Sequence, residues 1–328
     1  MNRRAVITIF GGAAASSLSW PLAARAQQAP LPVIGYLSLR EFEDLRLAAF
    51  RQGLREAGYV EGRNVQIEYR RAAGNDQLPE MAADLVRRRV AVIVAAGGTP
   101  AALAAKAATS TIPIVFGVAV DPVEVGLVAS LNHPGGNVTG VTNLNAQVGP
   151  KRLELVHELL PGATVFALLV DPTGPALADP VVRDSQAAAR TLGVTLHVLH
   201  ASSDGDLEAA LASVAQLRAA ALIISPSTFF TARSERLAAL TVRHAVPAIF
   251  QYRPFAAAGG LLSYGTNETE YYRPIGVYAG RILKGEKPGD LPVQRSSKVE
   301  LIVNLKTAQA LGLTVPLTLL GRADEVIE

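Results

Sequence analysis

From Pro32 onward, short β-branched runs alternate with amphipathic helical stretches, and this alternation constrains the fold more than any other feature. A continuous apolar strand needs cover on both faces, and helices crossing between parallel strands supply it, so the pattern predicts parallel sheets flanked by helices. Residues 33–37 read as the first buried strand. Leu47, Phe50 and Leu54 then share one helical face by their spacing, and Gly58 ends that helix. Strands are predicted over 65–69, 90–95 and 112–118, and helices over 78–88, 99–109 and 123–131. The same order then restarts, with helices at 147–160, 176–192, 206–218 and 231–244 and strands at 165–170, 194–199, 221–225 and 247–251. Two such series in 328 residues predict an α/β chain of two Rossmann-like, doubly wound lobes.

The last part is less regular. A strand at 261–264 and a helix at 268–284 lead into 285–297, which has no pattern, before a strand at 299–303 and a short helix from Lys306 capped by Asn304. A strand and helix returning after such a segment predict that the chain crosses between lobes more than once.

The formal charge of +3 invites a nucleic-acid reading, but Arg3, Arg4 and Arg25 account for all of it. Without residues 1–26 the chain carries 28 basic and 28 acidic groups. Those residues read as an export signal: Arg3-Arg4, an apolar small-residue stretch, Pro21, and a small-x-small site at Ala24-Arg25-Ala26 before Gln27. Arg3-Arg4 fits either the general or the twin-arginine route. The chain has no cysteine, which excludes disulfides, thiolate metal sites, cysteine nucleophiles and a lipidated cysteine after the signal. An exported chain of this kind is expected in a bacterial periplasm. No later segment approaches the ~18 uninterrupted apolar residues of a membrane span.

Ligands of open parallel sheets sit at the carboxyl ends of the strands, where helix N-termini present backbone N–H groups. Gly97-Gly98-Thr99-Pro100, after the third strand, could seat a carboxylate there, and an ordinary capped helix start explains the same residues. Asp121-Pro122, Asp171-Pro172 and Ser225-Pro226-Ser227-Thr228 hold the equivalent position after three other strands, as ligand contacts or as caps. Ser38 and Arg40 follow the first strand. Tyr264, Tyr271, Tyr272 and Tyr278 lie within fifteen residues, with Tyr252 just before. Packing of the helix from Glu268 explains Tyr271, Tyr272 and Tyr278, whereas Tyr252 and Tyr264, at strand ends, are the aromatic ligand candidates.

Catalytic and cofactor signatures are missing: no nucleophile elbow, zinc-protease motif, P-loop or dinucleotide fingerprint occurs. His197 and His200, three apart in a strand, face opposite sides, and the other histidines are scattered, so no metal site is expected. The basic clusters Arg70-Arg71 and Arg87-Arg88-Arg89 lack interleaved aromatics and read as solvated faces, not a nucleic-acid footprint.

Several blocks in order resemble the tryptophan-binding-protein-like family of ABC transporter substrate-binding proteins. They are residues 33–38, the stretch 50–62 through Gly53, Gly58 and Gly62, the Gly97 to Pro100 turn, 134–141, 258–265, 282–288 and 304–308. The resemblance covers the whole chain after the signal. It implies a type I periplasmic binding protein, in which three segments join the lobes and the ligand lies between them. The crossings would fall near 141–145, 264–267 and 291–297, giving one lobe of 30–143 plus 266–292 and another of 144–265 plus 293–328. It also implies an amino acid or related small acid as ligand, bound without chemistry and delivered by a monomeric receptor to an ABC permease. Gly98 and Thr99 would form the carboxylate end, Asp121 the amine partner, and Asn143 and Tyr264 the hinge-side contacts. Ser38, Asp171, Ser227 and Tyr252 complete the expected site. Two alternatives use the same cleft: an exported α/β enzyme, for which no activated nucleophile is present, and a ligand-sensing regulator, which would need a DNA-binding helix-turn-helix where the export signal stands.

Overall fold

The computed structural model describes residues 30–39, 45–143 and 145–328. The expected export signal and Arg40 lie outside them. The first series forms β1 (Val33–Ser38), α1 (Leu45–Glu56), β2 (Gln66–Arg71), α2 (Leu78–Arg87), β3 (Val92–Ala95), α3 (Thr99–Ala108), β4 (Ile114–Val118) and β5 (Val138–Asn143). The second forms α4 (Gly149–Leu159), β6 (Val165–Val170), α5 (Pro175–Leu192), β7 (Thr195–His200), α6 (Asp204–Gln216) and β8 (Leu222–Ile224). It continues with α7 (Thr228–Ala232), α8 (Ser234–Arg243), β9 (Ala248–Phe250), α9 (Arg253–Ala257) and β10 (Leu262–Thr266). The chain ends with α10 (Glu268–Leu283), β11 (Gln294–Ser296), β12 (Val299–Asn304), α11 (Leu305–Ala310), α12 (Leu317–Leu320) and β13 (Glu325–Ile327).

These strands build two sheets, ordered β11-β5-β4-β3-β1-β2 and β13-β12-β10-β9-β8-β6-β7. The first is parallel throughout, and in the second β12 runs antiparallel to β10. Period-two alternation gives each sheet two apolar faces. In β3, Val92 and Val94 join one core cluster with Phe50 and Ile275, while Ile93 and Ala95 join the opposite one with Leu85 and Phe116. In β6, Phe166 and Leu168 face one cluster and Ala167 and Leu169 the other.

The helix predicted over 123–131 is a series of turns instead. The Asp121 carboxylate accepts from the Val123 and Glu124 N–H groups, and Gly126, at φ +70°, leaves the right-handed region before a second turn can form. The predicted helix 231–244 is two helices, α7 and α8, meeting at Arg233.

The chain passes between sheets after Asn143, after Thr266 and after Ser296. The expected boundary at 293 is corrected to Ser297, because Gln294–Ser296 still pairs with β5. α10, which follows the second crossing, returns to the first sheet and packs on α1 with little room. A Cβ on Gly53 would lie 1.9 Å from the Arg273 carbonyl oxygen, and one on Gly276 would lie 2.0 Å from that of Phe50.

Candidate ligand-binding site

A cavity of about 420 Å³ lies where the carboxyl ends of both sheets face each other, and helix starts from both series border it. Of the expected site residues, Gly98, Thr99, Asn143, Asp171, Ser227 and Tyr252 line it. At the start of α3, Gly98 is the N-cap, with φ +83° and no side chain to cap the helix. The first-turn N–H groups, which lack intrahelical partners, are thus left for an incoming oxygen. The two halves also approach closely here, since a Cβ on Gly98 would lie 3.1 Å from the Thr228 methyl.

Asp171 follows β6 and is the one carboxylate among the described lining residues, which include no lysine or arginine. Its Oδ1 accepts from the Thr173 N–H at 2.9 Å and hydroxyl at 2.7 Å, and its Oδ2 accepts from the Ser227 hydroxyl at 2.6 Å. A carboxylate offers about four acceptor positions, so one direction remains for a ligand donor. Ser227 also caps α7, its Oγ accepting from the Phe229 N–H at 3.0 Å. Asp171 and the start of α7 are therefore held as one unit.

The aromatic wall comes from Tyr252, Tyr271 and Tyr272. Tyr271 meets Tyr272 edge to face with centroids 5.0 Å apart, and its hydroxyl donates to the Val118 carbonyl at 3.1 Å. Burial holds the Tyr271 phenol well above its ordinary pKa, so it stays neutral. Tyr271 and Tyr272 belong to the first core cluster, as helix packing predicts, and they also border the cavity. The available signal was position, because the first turn of a helix that follows a strand's carboxyl end lies at the ligand edge of the sheet. Thr228, in the strand-end segment 225–228 marked by the sequence, also lines the cavity, as do Gln251, Thr173 and Thr231, which carry no distinguishing pattern in sequence.

Three further expected contacts, Ser38, Asp121 and Tyr264, are not among the residues that line the cavity. Ser38 is buried at the end of β1, its Cα 3.2 Å from where a Gly97 Cβ would sit, behind the turn that forms the wall. Asp121 spends its carboxylate on the turn that replaced the helix. The Tyr264 side chain packs against a core of the second sheet, and its carbonyl accepts from Arg152 Nε at 2.8 Å.

Arg152 is fully buried behind the site, and its Nη1 donates to the Asn145 carbonyl at 2.9 Å. Asn145 Oδ1 in turn accepts from the Thr266 N–H at 2.9 Å. One guanidinium thus ties the first crossing to the second. Burial pulls its pKa down to about 10, and it remains charged at neutral pH.

A second depression, of about 600 Å³, is lined by Arg46, Arg233, Arg236 and Glu268. These charges already have partners: Arg46 pairs with Glu268, and Arg233 and Arg236 pair with Asp204. Among the described residues no cluster of three or more histidines and carboxylates could hold a metal, and no helix is long and apolar enough to cross a membrane.

Residues 43–327 match the family described as ABC transporter substrate binding protein. The chain belongs to that family. This substrate-binding protein is 27% identical over 282 residues to a tyrosine-binding protein of Clostridioides difficile, covering 85% of this chain and 81% of that one. Its fold is similar to a solved conserved domain protein from Vibrio cholerae, with a TM-score of 0.81, 28% identity, and coverage of 90% of this chain and 99% of that one. It is also similar to a Streptococcus ABC domain solved in complex with L-Trp, with a TM-score of 0.80, 24% identity, and coverage of 90% and 100%. The two-lobe periplasmic-binding-protein fold and a binding function without catalysis follow from that membership.

Proposed function

We propose that this substrate-binding protein captures the zwitterion of an aromatic amino acid between its two lobes and delivers it to an ABC permease. The carrying observation is a single carboxylate, Asp171, facing three tyrosines in a cavity of about 420 Å³ whose described lining has no basic side chain. In this reading Asp171 receives the ammonium and the first turn of α3, at Gly98 and Thr99, receives the carboxylate. The two ends are close enough for one α-carbon, since Ser227 bonds Asp171 while its neighbour Thr228 reaches Gly98. Tyr252, Tyr271 and Tyr272 then hold the ring, and Asn143 contacts the ligand from the hinge side. The tyrosine-binding relative and the L-Trp complex support the ligand class.

The closing bodies are 30–143 with 267–296, and 144–266 with 297–328. Ligand bridging both stabilises the closed state, which the permease recognises. Export by residues 1–26 to the periplasm and action as a monomer complete the proposal. Titration calorimetry with L-tyrosine and its deaminated analogue tests it. The amino acid should bind and the analogue should bind far more weakly, and Asp171→Asn should cost about 1.5 to 3 kcal/mol for the amino acid alone. Equal affinity for both compounds, before and after the substitution, would remove Asp171 from the site.

A further inference from the structure

Leu177, in the first turn of α5, is half-buried and borders the cavity. Its neighbour Ala178 is buried in a core cluster of the second sheet, with Phe166 and Val170. Leu177 packs instead against the core cluster of the first sheet that holds Leu37, Leu78 and Ala102. Every other described member of that cluster belongs to the body formed by 30–143 with 267–296, so this side chain crosses the cleft. The segment that carries it also carries Asp171. Thr173 donates to Asp171 through both its N–H and its hydroxyl, and the Leu177 N–H donates to the Gly174 carbonyl at 3.0 Å. Residues 171–177 thus join the carboxylate assigned above to the ligand ammonium with a side chain seated on the opposite lobe. Pro175 and Ala176, which also line the cavity, are exposed, so Leu177 stands at its solvent edge.

We infer that Leu177 is a positioning residue that latches the two lobes together at the solvent edge of the cavity and sets how long a ligand stays bound. The inference rests on the reading of an aromatic amino acid held between closing lobes, and it adds the side chain that holds the closed state. Parting the lobes returns the apolar surface between Leu177 and the first lobe to water, which opposes opening. A ligand on Asp171 fixes the segment that carries Leu177, and the seated Leu177 in turn keeps Asp171 opposite the first turn of α3. The ligand enters while the lobes are apart, so a contact made only on closure acts on release and not on capture.

The test is rapid-mixing measurement of association and dissociation rates for isotopically labelled L-tyrosine and L-tryptophan on the full chain, after removal of co-purified ligand by refolding. Leu177→Ala should raise the dissociation rate of both ligands by the same factor, about tenfold, because it acts through the lobes and not through the ring. Association should stay within about twofold of the unaltered rate. Leu177→Met, which keeps the apolar reach, should bring dissociation back to within about threefold. Leu177→Val, a smaller truncation, serves as the readout if the alanine variant unfolds, with a rise of about threefold. An unchanged dissociation rate would remove the latch, and a loss that differs between the two ligands would make Leu177 a ligand contact. Either result overturns this inference and leaves the aromatic reading standing. Binding of neither ligand by the unaltered protein would overturn the aromatic reading and this inference with it.

Discussion

At the scale of single residues, two aspartates that look alike in sequence have different work. Asp121 and Asp171 each follow a strand and precede a proline, yet Asp121 only stabilises a turn while Asp171 lines the cavity. Asp121→Ala is therefore expected to lower stability by about 1 kcal/mol and leave ligand affinity unchanged, and a tenfold loss of affinity in calorimetry would return it to the site. Nothing local separates the two, because each accepts from the N–H two residues on; Asp171 differs in accepting also from Ser227, 56 residues away. Tyr69 shows a residue with a pH signature. Burial, then its hydrogen bond to Glu61 and the charge on Glu61, push its phenol up to about 12. Between pH 10 and 12 the unfolded chain loses this proton while the folded one keeps it, so this contribution to stability is full below pH 10 and is lost as pH rises to 12. Denaturant midpoints measured through that window should fall, and Tyr69→Phe should flatten the fall. A slope unchanged by the substitution would mean that other tyrosines carry it.

At the scale of elements, strands and helices with strong periodicity were legible in the sequence and chain direction was not. The alternating faces of β3 and β6 follow from period-two patterning alone. The stretch 123–131 has helix-compatible apolar residues, but a glycine at positive φ and a capping aspartate won over that pattern. The contact of α1 with α10 was not legible, since glycines at 53 and 276 read as weak helix positions until the two backbones are seen against each other. Gly276→Ala should force them apart and cost about 1 to 3 kcal/mol in chemical denaturation. Because Tyr272 lies one turn away on the same helix, ligand affinity should fall as well. A variant with the original denaturation midpoint would show that the helices can separate freely.

For the whole molecule, the three crossings decide what the two sheets can do. Asn145 and Arg152 tie the first two crossings, and Asn267 ties the second to the third through the Lys298 carbonyl and Glu300. A ligand held on both sides of these crossings should stabilise the whole chain, by about 2.7 kcal/mol at a hundred times its Kd. The denaturant midpoint should rise accordingly and solution scattering should show a more compact particle. A bound ligand that changes neither would sit on one lobe only. The sequence by itself determined the fold class, the doubled βα plan, the balance of charge after residue 26 and the absence of cysteine chemistry, because these depend on composition and short-range periodicity. It also marked six residues of the cavity, since strand ends and helix starts are visible as local signals. Only the tertiary structure decided that Tyr271, Tyr272 and Gln251 border that cavity, that Ser38, Asp121 and Tyr264 do not, and that β11 stays with the first sheet. These depend on which segments meet across more than a hundred residues of chain, and no local pattern encodes such a meeting.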